Sequence, residues 1–181
     1  WQAGVTSKLA QDDRMLELAA ASGCSMLSIG FESISRRTLE SVHKHVNRPE
    51  TFAALVEKVH SFGIMVFGLF MFGFDGDDTS VFGETARFNI SAGYDACAYS
   101  VLTPYPGTLT WYELRKAGRI VSFDWTMYDQ GQVVYRPAQM SMQELSAGKR
   151  AATSPIPMAP RRDPSATSET PAARHAGPPR P

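Results

Sequence analysis

The chain has 181 residues, 43% of them hydrophobic and 20% charged, with a formal net charge of zero. That is enough apolar material for one packed domain, so a chain disordered throughout is excluded. From Lys149 onward there are six Lys/Arg against two acids, a charge of +4 that leaves −4 for residues 1–148; nothing in a mildly acidic body of this kind suggests a nucleic-acid surface, and no nucleic-acid partner is expected. The two cysteines, Cys24 and Cys97, have no metal-ligand spacing. They read as small buried hydrophobes of a reducing, cytoplasmic compartment, and no metal ligands are expected. The longest apolar run, residues 64–74, is too short to span a membrane. The chain opens at Trp1 without an initiator Met or a signal peptide, and is expected to be a fragment.

In chain order, residues 1–6 offer a strand stub. Asp12 or Asp13 can cap a helix whose apolar positions are Met15, Leu16, Ala19 and Ala20, closed by Gly23. A strand over residues 26–31 follows. Ser35 can cap a short helix carrying Leu39, Val42 and Val46, and Pro49 opens another whose stripe is Phe52, Leu55, Val56 and Val59, ended by Gly63. The nearly all-apolar strand 64–72 predicts a parallel strand covered on both faces. Asp78 or Thr79 then caps a helix with Val81, Phe82, Thr85 and Phe88, closed by Gly93. A strand over 96–102 and a helix over 108–117, ending at Gly118, complete the repeat. Strands alternating with helices of this length predict βαβ units and a parallel sheet, wound right-handed.

Three segments are predicted. Residues 1–118 form the back half of a partial parallel barrel. Residues 119–148 form an irregular extension, with Ser141 as a helix cap. Residues 149–181 form a tail holding eight of the twelve prolines, whose only large aliphatic residues are Ile156 and Met158. That tail buries too little apolar surface to offset its ordering entropy and is predicted to be disordered.

Ligands of parallel α/β folds sit at the carboxyl ends of the strands, which singles out three clusters. Glu32, closing the strand in "SIGFESIS", either accepts hydrogen bonds from ribose hydroxyls or an ammonium group, or is a structural carboxylate that caps the next helix or pairs with an arginine. Lys44, expected on the following helix and facing back, either meets a ligand carboxylate or is solvated. His43 and His45 read as surface residues. "GFDGDD" (residues 73–78) is either a backbone approach to a ligand or a turn with an Asp cap; it lacks the spacing of an EF-hand. "TPYPGT" (residues 103–108) is a rigid turn at the mouth of the sheet.

The succession "SGCSMLSIGFESISRRTLESVHKHVN", "GIMVFGLFMFGFDGDD", "TPYPGT", "GRI" and "DWTMYD" resembles the radical S-adenosylmethionine enzymes, in the branch with a cobalamin-binding domain. The resemblance covers about residues 1–148. It implies α/β architecture, the back half of a partial (β/α)6 TIM-like barrel. It implies S-adenosylmethionine contacts at Gly30, Glu32, Ser33, Lys44, Gly73, Thr103 and Pro104, with no catalytic side chain assigned. Where some relatives carry a polar residue four positions before the exit glycine, this chain has Leu69.

The parent enzyme would act on an unactivated carbon of a small molecule, by methylation, cyclisation or rearrangement. It would use a 4Fe–4S cluster, cobalamin and a reductant such as flavodoxin or ferredoxin. The CxxxCxxC loop that holds the cluster is absent from the 181 residues, so the chain alone is expected to be inactive. Two other readings stand beside this one. One is a barrel enzyme with Lys44 as Schiff-base former. The other is a non-catalytic binding module with an exposed sheet edge.

Overall fold

In a computed structural model, residues 1–42 and 44–153 are described. Along the chain run β1 (Gln2–Val5), α1 (Asp13–Ala21), β2 (Met26–Glu32), α2 (Arg36–Ser41), α3 (Pro49–Ser61), β3 (Met65–Phe72), α4 (Ser80–Ala92), β4 (Ala96–Val101), α5 (Leu109–Lys116) and α6 (Met142–Thr153), with 3-10 turns at Leu9–Gln11 and Trp125–Met127. The four strands are parallel and lie in sequential order, β1-β2-β3-β4. Sequential order with helical crossovers and no reversal is the winding of a (β/α) barrel rather than of a doubly wound sheet, as the sequence predicts.

Local chemistry sets the helix starts. The side chains of Asp12, Ser35 and Thr108 accept from the backbone N–H groups of Met15, Thr38 and Trp111, each satisfying one otherwise orphaned donor. At the α4 start, of the two candidates Asp78 and Thr79, it is Asp78 that accepts from the first helical N–H, that of Ser80, at 2.8 Å, while Thr79 makes no side-chain cap bond.

Strand alternation sorts the sheet into two faces. On the outer face Leu27, Ile29, Phe31, Val66, Phe70, Phe72, Tyr99 and Val101 are buried beneath the helices. Phe31 is the hub there: its ring lies edge-on to Phe52 at 4.7 Å and to Tyr94 at 5.1 Å, and stacks on Phe70 at 5.7 Å. Geometries of this kind add to plain area burial. The inner face is covered less. Met65, Phe67, Leu69 and Met71 of β3 are half-buried, which corrects the expectation that β3 is sealed on both sides. The 129–131 loop and Lys149 of α6 lie over that face at the strands' carboxyl ends.

Two further expectations are corrected. Helix α2 stops at Ser41, so Lys44 and Val46 lie in the connection to α3. The boundary placed at Gly148 falls inside α6, which runs to Thr153. A capping box starts that helix: Ser141 Oγ accepts from Glu144 N at 3.1 Å, while Glu144 Oε2 accepts from Ser141 N at 2.7 Å. Leu145 and Ala152 are buried and anchor it. At Gly148 a Cβ would collide with the Phe82 ring of α4, so the small residue lets the two helices close up. The remainder of the predicted tail, from residue 154, lies outside the described residues.

Candidate functional site

The inner face and its carboxyl-end loops enclose a cleft of about 370 Å³. Its floor is Gly30, Leu69, Phe70, Met71, Ala98, Tyr99 and Ser100; Glu32 closes one side, and Asp129–Gly131 and Lys149 cover it.

Glu32 reaches this position through an irregularity. The β2–β3 register slips between Gly30 and Glu32, and Glu32 adopts φ 67°, a left-handed conformation uncommon for a residue with a Cβ. The slip turns the carbonyls of Gly30 and Phe31 toward Asn47, whose Nδ2 donates to them at 3.0 and 2.9 Å. Asn47 is itself buried, and its Oδ1 accepts from the Ser7 hydroxyl at 2.5 Å. One amide therefore ties the ends of β1 and β2 together and fixes the acidic tip.

Lys44 Nζ lies 3.2 Å from Glu32 Oε1, with side chains 54% and 22% exposed. The tip and its downstream amine are thus brought together as an ion pair at the rim of the cleft, an arrangement that the sequence reading did not foresee. Among the described residues Oε2 of Glu32 has no hydrogen-bond donor. An exposed, ion-paired Lys44 is the reverse of the desolvated amine that a Schiff-base lysine needs.

The other residues singled out from sequence lie elsewhere. Gly30 is in the cleft floor. Ser33 is buried, with its Oγ accepting from Ser35 N at 3.0 Å. Thr103 is buried, with its hydroxyl donating to Val101 O at 3.1 Å, and Pro104 is buried beside it. Gly73 has φ 100°, and a Cβ there would run into the Tyr135 hydroxyl and Leu145. Tyr135 donates to the Gly73 carbonyl. The space that glycine leaves is filled by the extension. None of Ser33, Lys44, Gly73, Thr103 and Pro104 lines the cleft. His45 is exposed, and His43 lies outside the described residues.

The acidic turn is engaged internally. Asp75 holds Arg119 through two bonds of 2.7 and 2.6 Å. Asp77 Oδ2 accepts from Gly73 N at 3.0 Å and Phe74 N at 3.1 Å, and its Oδ1 accepts from the Thr38 hydroxyl at 3.3 Å. Burial nevertheless pushes the Asp77 carboxyl up to about 6, because desolvation outweighs the three hydrogen bonds.

Sequence reasoning missed Asn47, Tyr135, the 129–131 loop and Lys149. A helix cap at Ser141 followed by Leu145, Gly148 and Ala152 at helical spacing was the available signal for α6 and hence for Lys149. Asn47 carried no local signal beyond preceding the Arg-Pro that opens α3.

As to metals, no group of three His, Cys, Asp or Glu side chains among the described residues could hold an ion. Cys97 is partly buried and its thiol is pushed up to about 12 by desolvation, which disfavours the thiolate a cluster needs. The residues present do not fit an iron–sulfur cluster. No helix among them is long and apolar enough to cross a membrane.

Comparison with known proteins agrees with this architecture. No family model matches the chain. It is 34% identical over 145 residues to bacteriochlorophyllide d C-12(1)-methyltransferase of Chlorobaculum tepidum, covering 80% of this chain and 31% of that enzyme. It is 30% identical over 120 residues to the C-8(2)-methyltransferase of the same organism, covering 66% of this chain and 27% of that enzyme. An uncharacterized methyltransferase of Pyrococcus horikoshii matches at 24% over 135 residues, 75% of this chain and 29% of that protein. The chain thus spans under a third of the length of these relatives.

Two solved structures share the fold. An archaeal Elp3 from Methanocaldococcus infernus superimposes with TM-score 0.62 at 14% identity, over 84% of this chain and 32% of that one. The radical S-adenosylmethionine methyltransferase TsrM of Kitasatospora setae, solved with cobalamin and a 4Fe–4S cluster, superimposes with TM-score 0.55 at 19% identity, over 81% and 30%. The chain is therefore similar in sequence to methyltransferases and has the barrel-type fold of these two structures.

Proposed function

We propose that this chain is the carboxyl-terminal half of the barrel of a radical S-adenosylmethionine methyltransferase, cobalamin-linked, acting on a carbon of a tetrapyrrole-type small molecule. The observation that carries the reading is the Glu32 tip, held in a left-handed conformation at the mouth of a cleft on the inner face of the sheet. Residues in sparsely populated conformations cluster where a site demands them. The sequence likeness to bacteriochlorophyllide methyltransferases supports the reaction class. The half-covered apolar inner face of β3 supports a barrel completed by further strands.

When bound, S-adenosylmethionine would supply the methyl group. Oε2 of Glu32, which has no donor among the described residues, would accept from the cofactor's ammonium or ribose hydroxyls, and Lys44 at Oε1 would keep the carboxylate's aim. Gly30 leaves the floor open: a Cβ there would sit 3.1 Å from Glu32 Oε1 and push the carboxylate aside. Iron–sulfur ligands belong to sequence outside these 181 residues, and the chain alone is inactive.

Isothermal titration of the chain with S-adenosylmethionine tests the reading. The parent is expected to bind weakly, and Glu32→Gln to lose on the order of tenfold in affinity, the scale of one charge-assisted hydrogen bond. Equal binding by the two overturns it.

A further inference from the structure

Among the described residues, Lys149 is the one ammonium lining the cleft, and neither the function proposed above nor the family resemblance gives it a role. Its backbone is firmly placed. Leu145, one turn earlier, is fully buried, and Gly148, the preceding residue, packs against Phe82. The side chain is half-buried. Two carboxylates line the same cleft, Glu32 and Asp129, yet Lys149 pairs with neither: Glu32 is held by Lys44, and Asp129 accepts from Gly131 N at 2.8 Å and Gln132 N at 3.0 Å. A partly desolvated cation with no ion-pair partner among the described residues, facing the apolar side chains of Leu69, Met71 and Ala98, is a site for an anion. With two carboxylates already in the cleft, a singly charged carboxylate suits it better than a phosphate dianion.

We infer that Lys149 anchors a carboxylate substituent of the substrate, whose apolar ring body lies on the Leu69–Met71–Ala98 floor. The inference deepens the function proposed above and rests on it for the identity of the cleft. It assigns Lys149 to the substrate, whereas Glu32 is assigned to the cofactor.

The test uses the full chain and two fluorescent probes: pyropheophorbide a, a chlorin with one free carboxyl group, and its methyl ester. The parent is expected to bind the acid on the order of tenfold more tightly than the ester, a typical margin for one charge-assisted contact. Lys149→Met should abolish that preference while leaving ester binding unchanged, which also shows that the variant folds. Lys149→Arg should retain the preference. Equal binding of acid and ester by the parent, failure of both to bind, or an undiminished preference in Lys149→Met would each overturn the inference. Titration of the same variants with S-adenosylmethionine separates the two proposals. Loss of the chlorin preference in Lys149→Met with cofactor binding intact supports the anchor. Cofactor binding insensitive to Glu32→Gln sinks only the cofactor reading.

Discussion

At the scale of single residues, the strand tip is a compromise between backbone and chemistry. Glu32 in the left-handed region costs about 1 kcal/mol that glycine would not. Its ion pair with half-exposed Lys44 returns less than about 1 kcal/mol. Glu32→Gly should therefore unfold at an equal or higher urea midpoint than the parent while losing affinity for S-adenosylmethionine; a lower midpoint would contradict the strain account. Asn47 is the opposite case, a residue with no proposed chemistry and a large structural role. Asn47→Ala strands two carbonyls and the Ser7 hydroxyl, and should cost at least about 3 kcal/mol by chemical denaturation, given roughly 1–3 kcal/mol per buried group left unmade. A loss under about 0.5 kcal/mol would show that water replaces the amide.

At the scale of elements, the β3–α4 turn carries a pH dependence. Its Asp77 carboxyl titrates at about 6 when folded and near the ordinary value of about 3.9 when unfolded. A carboxyl raised by folding contributes stability that is complete below the unfolded value and is lost as pH rises through the folded one. Between about pH 4 and pH 6 the parent should thus lose about 2–3 kcal/mol relative to Asp77→Asn, since each pH unit separating the two values is worth about 1.36 kcal/mol. Comparing the two removes the opposite slopes of the exposed Asp78, Asp124, Asp129 and Glu144, whose carboxyls local hydrogen bonds hold low. Parallel stability curves would refute the buried-carboxyl account.

The elements are also where the sequence was most legible. Asp12, Ser35, Thr108 and Ser141 start helices through bonds spanning three residues, and the βα alternation is written in apolar periods, so both could be read locally. Glu32 and Lys44 were found because a charge after a buried run is conspicuous. What could not be read depends on partners far along the chain. Gly73 is small because Tyr135, 62 residues away, sits on its carbonyl. Helix α2 ends at Ser41, before the Val46 that its apolar spacing included. Lys149 was assigned to a tail because the composition changes there, yet the buried Leu145 and Ala152 on either side hold it in a helix.

For the whole molecule, the open sheet is the dominant fact. The β4 edge is partly capped, since Val101 N donates to Gln130 O at 2.7 Å. Among the described residues no strand pairs with the other edge of β1. Unpaired parallel edges template further strands, so the chain should self-associate as concentration rises. Gly4→Lys, at a position with open space around it, should suppress this by adding a charge to the edge strand. Light scattering across a dilution series checks the point; concentration-independent mass for the parent would contradict it.

The Tyr135 hydroxyl on Gly73 and the Leu145 side chain beside it make the last third of the described chain a wedge driven into the sheet, rather than an appendage. A backbone nick in the exposed stretch near Val121 or Phe123 would leave two peptides with interlocking apolar faces. Such a pair has the makings of a self-reassembling split protein, in which recovery of the fold reports that the two pieces have met.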